Sequence, residues 1–226
     1  INRFTAIYQK NNKIKIILCV PNTLIHFFNK NLNPKKISIG AQNCHHNEVF
    51  GPYTGSINAN MLKNIGTEHI ILGHSESRID GDTNKLIKKK ISAALNQKIN
   101  IIFCVGEKLK EKNRGLTFSV LKKQLSSSLS NKINFKKIII AYEPVWSIGT
   151  NKIPKSQELT KIVKFIKSEC MKICKSKNSP KVLYGGSVNP KNISSFCLIK
   201  DIDGFLIGGA SQSSKKFIDI VKNYYK

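Results

Sequence analysis

The sequence predicts an α/β protein built on a parallel sheet. Short apolar runs rich in Ile and Val alternate with segments of helical periodicity along the whole chain. Runs that are hydrophobic on both faces belong to parallel strands covered by helices. No shift in composition marks a boundary, so residues 1–226 read as a single domain, with 40% hydrophobic residues to fill one large core. Seven strands are legible. A closed ring of alternating strands and helices needs eight, whereas an open doubly wound sheet accepts seven. No Gly-x-Gly-x-x-Gly follows an early strand, which removes the usual dinucleotide-binding version.

The elements follow in order. Ile1–Asn12 is weakly amphipathic and reads as the end of a helix. Lys15–Val20 is a strand stopped by Pro21, and Thr23–Asn29 a short helix. Lys36–Asn43 is the next strand, with a His-, Gly- and Pro-containing loop from Cys44 to Gly55 after it. Ile57–Ile65 is helical and His69–Gly73 a strand. Thr83 caps a helix with Ile87, Ile91, Ala94 and Leu95 at helical spacing. Asn100–Val105 is a strand, and Leu116–Leu129 has helix periodicity. Ile138–Tyr142 is a buried strand that ends at Glu143, where Pro144 forbids a further ladder bond. Ser156 caps a long helix with a stripe of Leu159, Ile162, Val163, Ile166, Cys170 and Ile173. Lys181–Tyr184 is a strand, Asn192–Phe196 a short helix, Gly204–Ile207 the last strand and Lys215–Tyr225 the closing helix.

The formal charge of +25 raises the possibility of a nucleic-acid binder. Of the 38 basic residues, only Arg3, Arg78 and Arg114 are arginines, and the lysines are spread along the chain. Base readout and phosphate grip favour clustered arginine, so the lysines read as solvated helix faces and no nucleic-acid partner is expected. The positive field still gathers anions. The six cysteines form no Cys-x-x-Cys pair, which fits reduced thiols in the cytoplasm. No apolar run approaches the length of a membrane span, so no membrane partner is expected.

The residues with chemical potential follow the strands. Gln42-Asn43, His74 with Glu76, Glu107, Glu143, Ser187 and Gly208-Gly209 each stand just past a strand end. In a closed barrel of strands these positions share one rim. A lone Glu or His at such a place is more often a surface group. Glu143 stands out because the loop after it, with Trp146 near its start and Gly149 at its centre, has the composition of a mobile lid. Gly-Gly turns at 185–186 and 208–209 let backbone amides approach an anion.

AYEPVWSIGT at 141–150 closely resembles the catalytic-base and lid segment of the triosephosphate isomerase family. GAQNC at 40–44, YTGSI at 53–57, ILGHSESR at 71–78, CVGEKL at 104–109, YGGSV at 184–188 and DGFLIGGAS at 203–211 resemble further segments of that family, in its order. The resemblance implies a (β/α)8 TIM barrel that interconverts dihydroxyacetone phosphate and D-glyceraldehyde 3-phosphate without cofactor or metal. It implies Glu143 as base, His74 as electrophile and Glu76 as the carboxylate beneath the catalytic centre. It places Gly149, Ser187, Gly208 and Gly209 at the substrate phosphate, and Thr54 at the partner subunit of a homodimer.

The sequence departs from the family's pattern in three places. The family's first strand and its Asn-x-Lys motif are missing before Ile1, which is expected to reflect an incomplete chain, the alternative being a catalytically impaired barrel homologue. Ser56 and Ser77 replace an acidic residue and an arginine, so a charge pair is lost without leaving an orphan. Asn151 replaces a glycine in the loop, and Asn tolerates positive φ.

Overall fold

A computed structural model describes residues 14–131 and 133–224. The helix end read at Ile1–Asn12, and with it the question of a preceding strand, lies outside the described residues. The chain divides into two compact units, Ile1–Phe103 and Cys104–Lys226.

The first unit holds β1 (Ile16–Val20), β2 (Ile37–Ala41), β3 (His69–Leu72) and residues 100–103 of β4 (Asn100–Val105). They pair in chain order, all parallel, with Ile16 opposite Ile37, Gly40 opposite His69 and His69 opposite Asn100. Every residue of β2 and β3 is buried, as expected of strands covered on both faces. Between them run α1 (Ile25–Asn31), α2 (Ala59–Asn64), α3 (Ser75–Ile79) and α4 (Asn84–Asn96). A 3₁₀ turn at Asn22–Leu24 opens α1, because Pro21 stops β1 and fixes the turn. Thr83 caps α4 as predicted, its Oγ1 accepting from the Leu86 amide at 3.2 Å.

One lysine departs from the reading of solvated faces. Lys90 lies on the buried stripe of α4 and is 6% exposed. Its ammonium donates to both Asp82 oxygens at 2.8 Å and to Asn43 Oδ1 at 3.0 Å, which supplies the partners a buried cation requires. Ser77, where the family carries an arginine, accepts from Asn43 Nδ2 at 3.3 Å.

The second unit begins inside β4 and holds β5 (Ile138–Tyr142), β6 (Lys181–Tyr184) and β7 (Gly204–Phe205), paired in that order and parallel. Its helices are α5 (Leu109–Asn113), α6 (Thr117–Ser128), α7 (Ser156–Cys174) and α8 (Ser214–Tyr224). On α7 the stripe Leu159, Ile162, Val163, Ile166 and Cys170 is buried, with Cys174 in place of the half-buried Ile173. Each fully buried aliphatic side chain of this kind contributes roughly 1.5–3 kcal/mol over its exposed state.

Most boundaries shift by one to three residues from expectation, among them Thr23–Asn29, which is helical over Ile25–Asn31, and Lys36–Asn43, which is a strand over Ile37–Ala41, and two of the shifts have a local reason. Ser156 is the first helical residue of α7 and Lys155 takes the cap position without a side-chain bond, a shift of the kind common where helix ends fray. β7 ends at Phe205 because the chain bends toward the turn at Gly208, although Leu206 still donates to Tyr184 O at 3.0 Å. A ladder of rings, Tyr184–Phe196–Phe205–Tyr224, with centroids 4.9, 5.7 and 5.6 Å apart, ties β6, β7 and α8 together.

Candidate active site

In the second unit the carboxyl ends of the strands are laced by backbone bonds. The Glu143 amide donates to Val105 O at 2.8 Å, the Val145 amide to Glu107 O at 3.1 Å and the Gly185 amide to Tyr142 O at 2.8 Å. Glu143 therefore leaves β5 with its backbone held by the end of β4, and it is only 2% exposed. Two glycines leave room for it. A Cβ on Gly106 would collide with the Glu143 carbonyl, and one on Gly185 would lie 2.9 Å from Glu143 Cγ. Gln124 of α6 holds Gly106 from both sides, accepting from its amide at 2.8 Å and donating to its carbonyl at 2.9 Å.

A second strand-end carboxylate, Glu107, is also buried. Tyr142 Oη donates to its two oxygens at 3.1 and 3.2 Å, and Trp146 Nε1 donates to Oε1 at 2.7 Å. Burial raises the Glu107 carboxyl above its ordinary range, and the bonds from Trp146 and Tyr142 and the nearby Lys112 charge offset part of that rise. Burial likewise holds the Tyr142 phenol well above its ordinary value, with the Glu107 charge adding to the effect.

The loop Pro144–Ile153 is folded around Ser147. Its Oγ donates to Lys152 O at 2.5 Å, accepts from the Ser187 amide at 3.2 Å and lies 3.1 Å from Tyr184 Oη. A hydroxyl has one proton, so with Lys152 as acceptor Tyr184 is the donor to Ser147. Burial lifts the Tyr184 phenol to about 12, so this donor keeps its proton at neutral pH. Gly149 and Asn151 take φ of 69° and 59°, so asparagine adopts the left-handed conformation expected of it. Both are exposed.

Ser187 lies in the turn after β6, two residues past Gly185. Its carbonyl accepts from Asn192 Nδ2 at 2.8 Å, and Asn189 and Asn192 exchange side-chain-to-amide bonds at 2.9 and 3.1 Å. Gly208 and Gly209 open a short 3₁₀ turn, fixed by Ser211, whose amide and hydroxyl bond to Gly208 O at 2.8 and 2.7 Å. Both glycines are exposed, and a Cβ on either would meet nothing within 4 Å. The structure thus joins Glu143, the loop and Ser187 through Tyr142, Ser147, Tyr184 and Gly185. It sets Gly208 and Gly209 just past the neighbouring strand.

His74 and Glu76 belong to the first unit. His74 caps α3, and its Nδ1 accepts from the Glu76 amide at 3.3 Å. That bond leaves the ring proton of a neutral imidazole on Nε2, which is then a donor. The Glu76 carboxylate is 3.7 Å from Nδ1 with its side chain 83% exposed, so the amide is the firmer partner. Arg78 braces the approach to His74, donating to Gly73 O and Asn84 Oδ1, each at 2.7 Å.

Glu107 was visible in the sequence as a strand-end residue, but its bonds to Tyr142 and Trp146 were not. Gln124, Ser147 and Lys112 carried no signal, since each works through a contact formed by the fold. Among the described residues no group of three or more His, Cys, Asp or Glu side chains is arranged to hold a metal ion.

Comparison with known proteins adds four findings. The family model described as triosephosphate isomerase matches residues 1–224. The triosephosphate isomerase of Aquifex aeolicus is 38% identical over 227 residues, covering 99% of this chain and 92% of that protein. That of Dictyoglomus turgidum is 40% identical over 228 residues, covering 99% and 91%. The crystal structure of triosephosphate isomerase from Bartonella henselae superposes with a TM-score of 0.87 at 34% identity, over 99% of this chain and 91% of that one.

Proposed function

The chain belongs to the triosephosphate isomerase family, with its TIM-barrel fold and its aldose–ketose isomerase activity, and from that premise we propose the roles of its residues. Glu143 removes a proton from the carbon beside the carbonyl of dihydroxyacetone phosphate. His74, donating through Nε2, polarises the carbonyl oxygen as charge develops and gives an enediol(ate). Glu143 returns the proton to the neighbouring carbon, and D-glyceraldehyde 3-phosphate results. Glu76 sets the His74 tautomer through its backbone amide. The backbone at Gly149, Ser187, Gly208 and Gly209 receives the phosphate. The loop Pro144–Ile153 closes over the substrate, excludes water and holds back loss of phosphate from the intermediate.

The single observation carrying this reading is the setting of Glu143: buried, at the carboxyl end of a parallel strand, with glycines at 106 and 185 cleared around it. The test is Glu143→Gln, which keeps shape and removes the base. We expect kcat to fall by about 10²- to 10⁴-fold with folding retained. Near-parental turnover would refute the assignment.

The organisation we propose is one barrel domain over residues 1–226, supported by a family match that runs through both compact units. A homodimer is supported by the loop around Thr54, where Val49 and Phe50 are 61% and 67% exposed and Thr54 itself is exposed. Light scattering at working concentration tests it, a monomer mass being the contrary result. The proposed compartment is the cytoplasm, supported by six free cysteines. Among the described residues no helix is long and apolar enough to cross a membrane.

A further inference from the structure

Lys112, on the short helix α5, touches both flanks of the loop Pro144–Ile153. Its Nζ lies 3.6 Å from the centroid of the Trp146 ring and 3.0 Å from Glu158 Oε1. Trp146 stands in the first turn of the loop, a 3₁₀ turn over Val145–Ser147. Glu158 stands in the first turn of α7, just past the loop's far end. The indole is therefore gripped twice, at its edge by Glu107 and on its face by the ammonium. The ammonium is itself held in place by Glu158.

We propose that Lys112 is a positioning residue for the isomerase reaction: its ammonium latches the first turn of the loop to the helix that follows the loop, and so fixes where the loop rests between turnovers. The reasoning is electrostatic. A cation over the face of an indole is attracted by the ring quadrupole, and a carboxylate beside the cation restricts where it can sit. The side chains of Lys112 and Glu158 are 26% and 40% exposed, so the grip is partly shielded from solvent. Glu107 ties the indole to Tyr142, before the loop, and Lys112 ties it to Glu158, after the loop. If the loop moves, the indole must slide over or leave this ammonium. Removing the charge then changes the resting population of the loop. Lys112 also adds positive potential at Glu107, the carboxylate that holds the indole edge. The inference rests on the reading of this loop as the lid.

The protein carries a single tryptophan, so its fluorescence reports on Trp146 alone. The experiment compares the full-length protein with Lys112→Met, Lys112→Arg and Glu158→Gln. Lys112 lines an open cleft of about 400 Å³ between α6 and α7, where methionine has room. We expect K112M to shift the emission and lower its anisotropy, with kcat falling about three- to tenfold and the melting temperature within about 2 °C of the parent. K112R keeps a cation over the ring and should hold both near parental values. E158Q, which leaves the lysine and removes its anchor, should move the emission in the same direction but less far.

Parental emission with kcat within about twofold in K112M overturns the latch. So does K112R falling as far as K112M, which would mark a requirement for lysine packing. If K112M fails to fold, unchanged emission in E158Q overturns it instead. Adding 2-phosphoglycolate to the parent separates the two ideas. If parental Trp146 emission ignores the ligand, the lid reading is what fails. If it responds and K112M responds identically, the latch alone fails.

Discussion

A Cβ on Gly185 would lie 2.9 Å from Cγ of Glu143. The turn after β6 therefore reaches Glu143, the proposed base, through the absence of a side chain. Gly185→Ala should displace Glu143 by a fraction of an ångström. Misplacement on the scale of 1 Å costs about 100-fold in rate, so we expect kcat to fall by about one to two orders of magnitude. The Gly185 amide bond to Tyr142 O at 2.8 Å is backbone only and survives the change. Steady-state kinetics with a thermal melt checks this. A rate near the parent's would show that the base does not need this clearance.

Lys90 and Asp82 form a buried pair, their side chains 8% and 7% exposed. Removing one partner strands the other charge. Lys90→Met should therefore destabilise by roughly 3–5 kcal/mol, seen as a lower midpoint in urea. The double variant Lys90→Met/Asp82→Leu should regain most of that loss, because no lone charge remains buried.

Glu107 has a carboxyl raised by burial above the ordinary 4.5. Its folded form holds the proton more tightly than its unfolded form. Its contribution is thus fully present below the unfolded value and is lost as pH rises through the raised folded value. Glu107→Gln keeps one carbonyl oxygen that can accept from Trp146 and Tyr142, and removes the titration. Relative to E107Q, the parent should lose stability from about pH 4.5 upward until the raised value is passed. Urea denaturation of both proteins across that range measures the difference. A difference independent of pH would contradict the burial effect.

Cys197 is exposed, and Cys44, Cys104, Cys170 and Cys174 are buried. Burial pushes the Cys44 thiol to about 12 and the Cys174 thiol to about 11, so thiolate is scarce there at pH 8. A disulfide reagent should titrate Cys197 quickly and the four buried thiols only on unfolding. Loss of the fast phase in Cys197→Ser confirms the assignment.

Chemical pattern along the chain was enough for much of this protein. The Ile-rich runs set the strands, since a run apolar on both faces can be buried only between helices. Asn100–Val105 and Lys181–Tyr184 hold to the residue. Thr83 caps its helix through a bond made three residues on, and Asn151 takes the positive φ open to it. These are local preferences, and they are written locally. The positions of Glu143 and Ser187 after strand ends were legible for the same reason. Tertiary structure alone decided what those residues touch. Gln124 meets Gly106, Tyr142 and Trp146 converge on Glu107, Ser147 joins Lys152 to Ser187, and Lys112 stands over Trp146. It also decided that Lys90, one lysine among many, is buried. Such contacts join residues far apart in the chain, and neither periodicity nor composition records them. A hydrogen bond depends on tenths of an ångström, and that precision exists only once the strands and helices have packed.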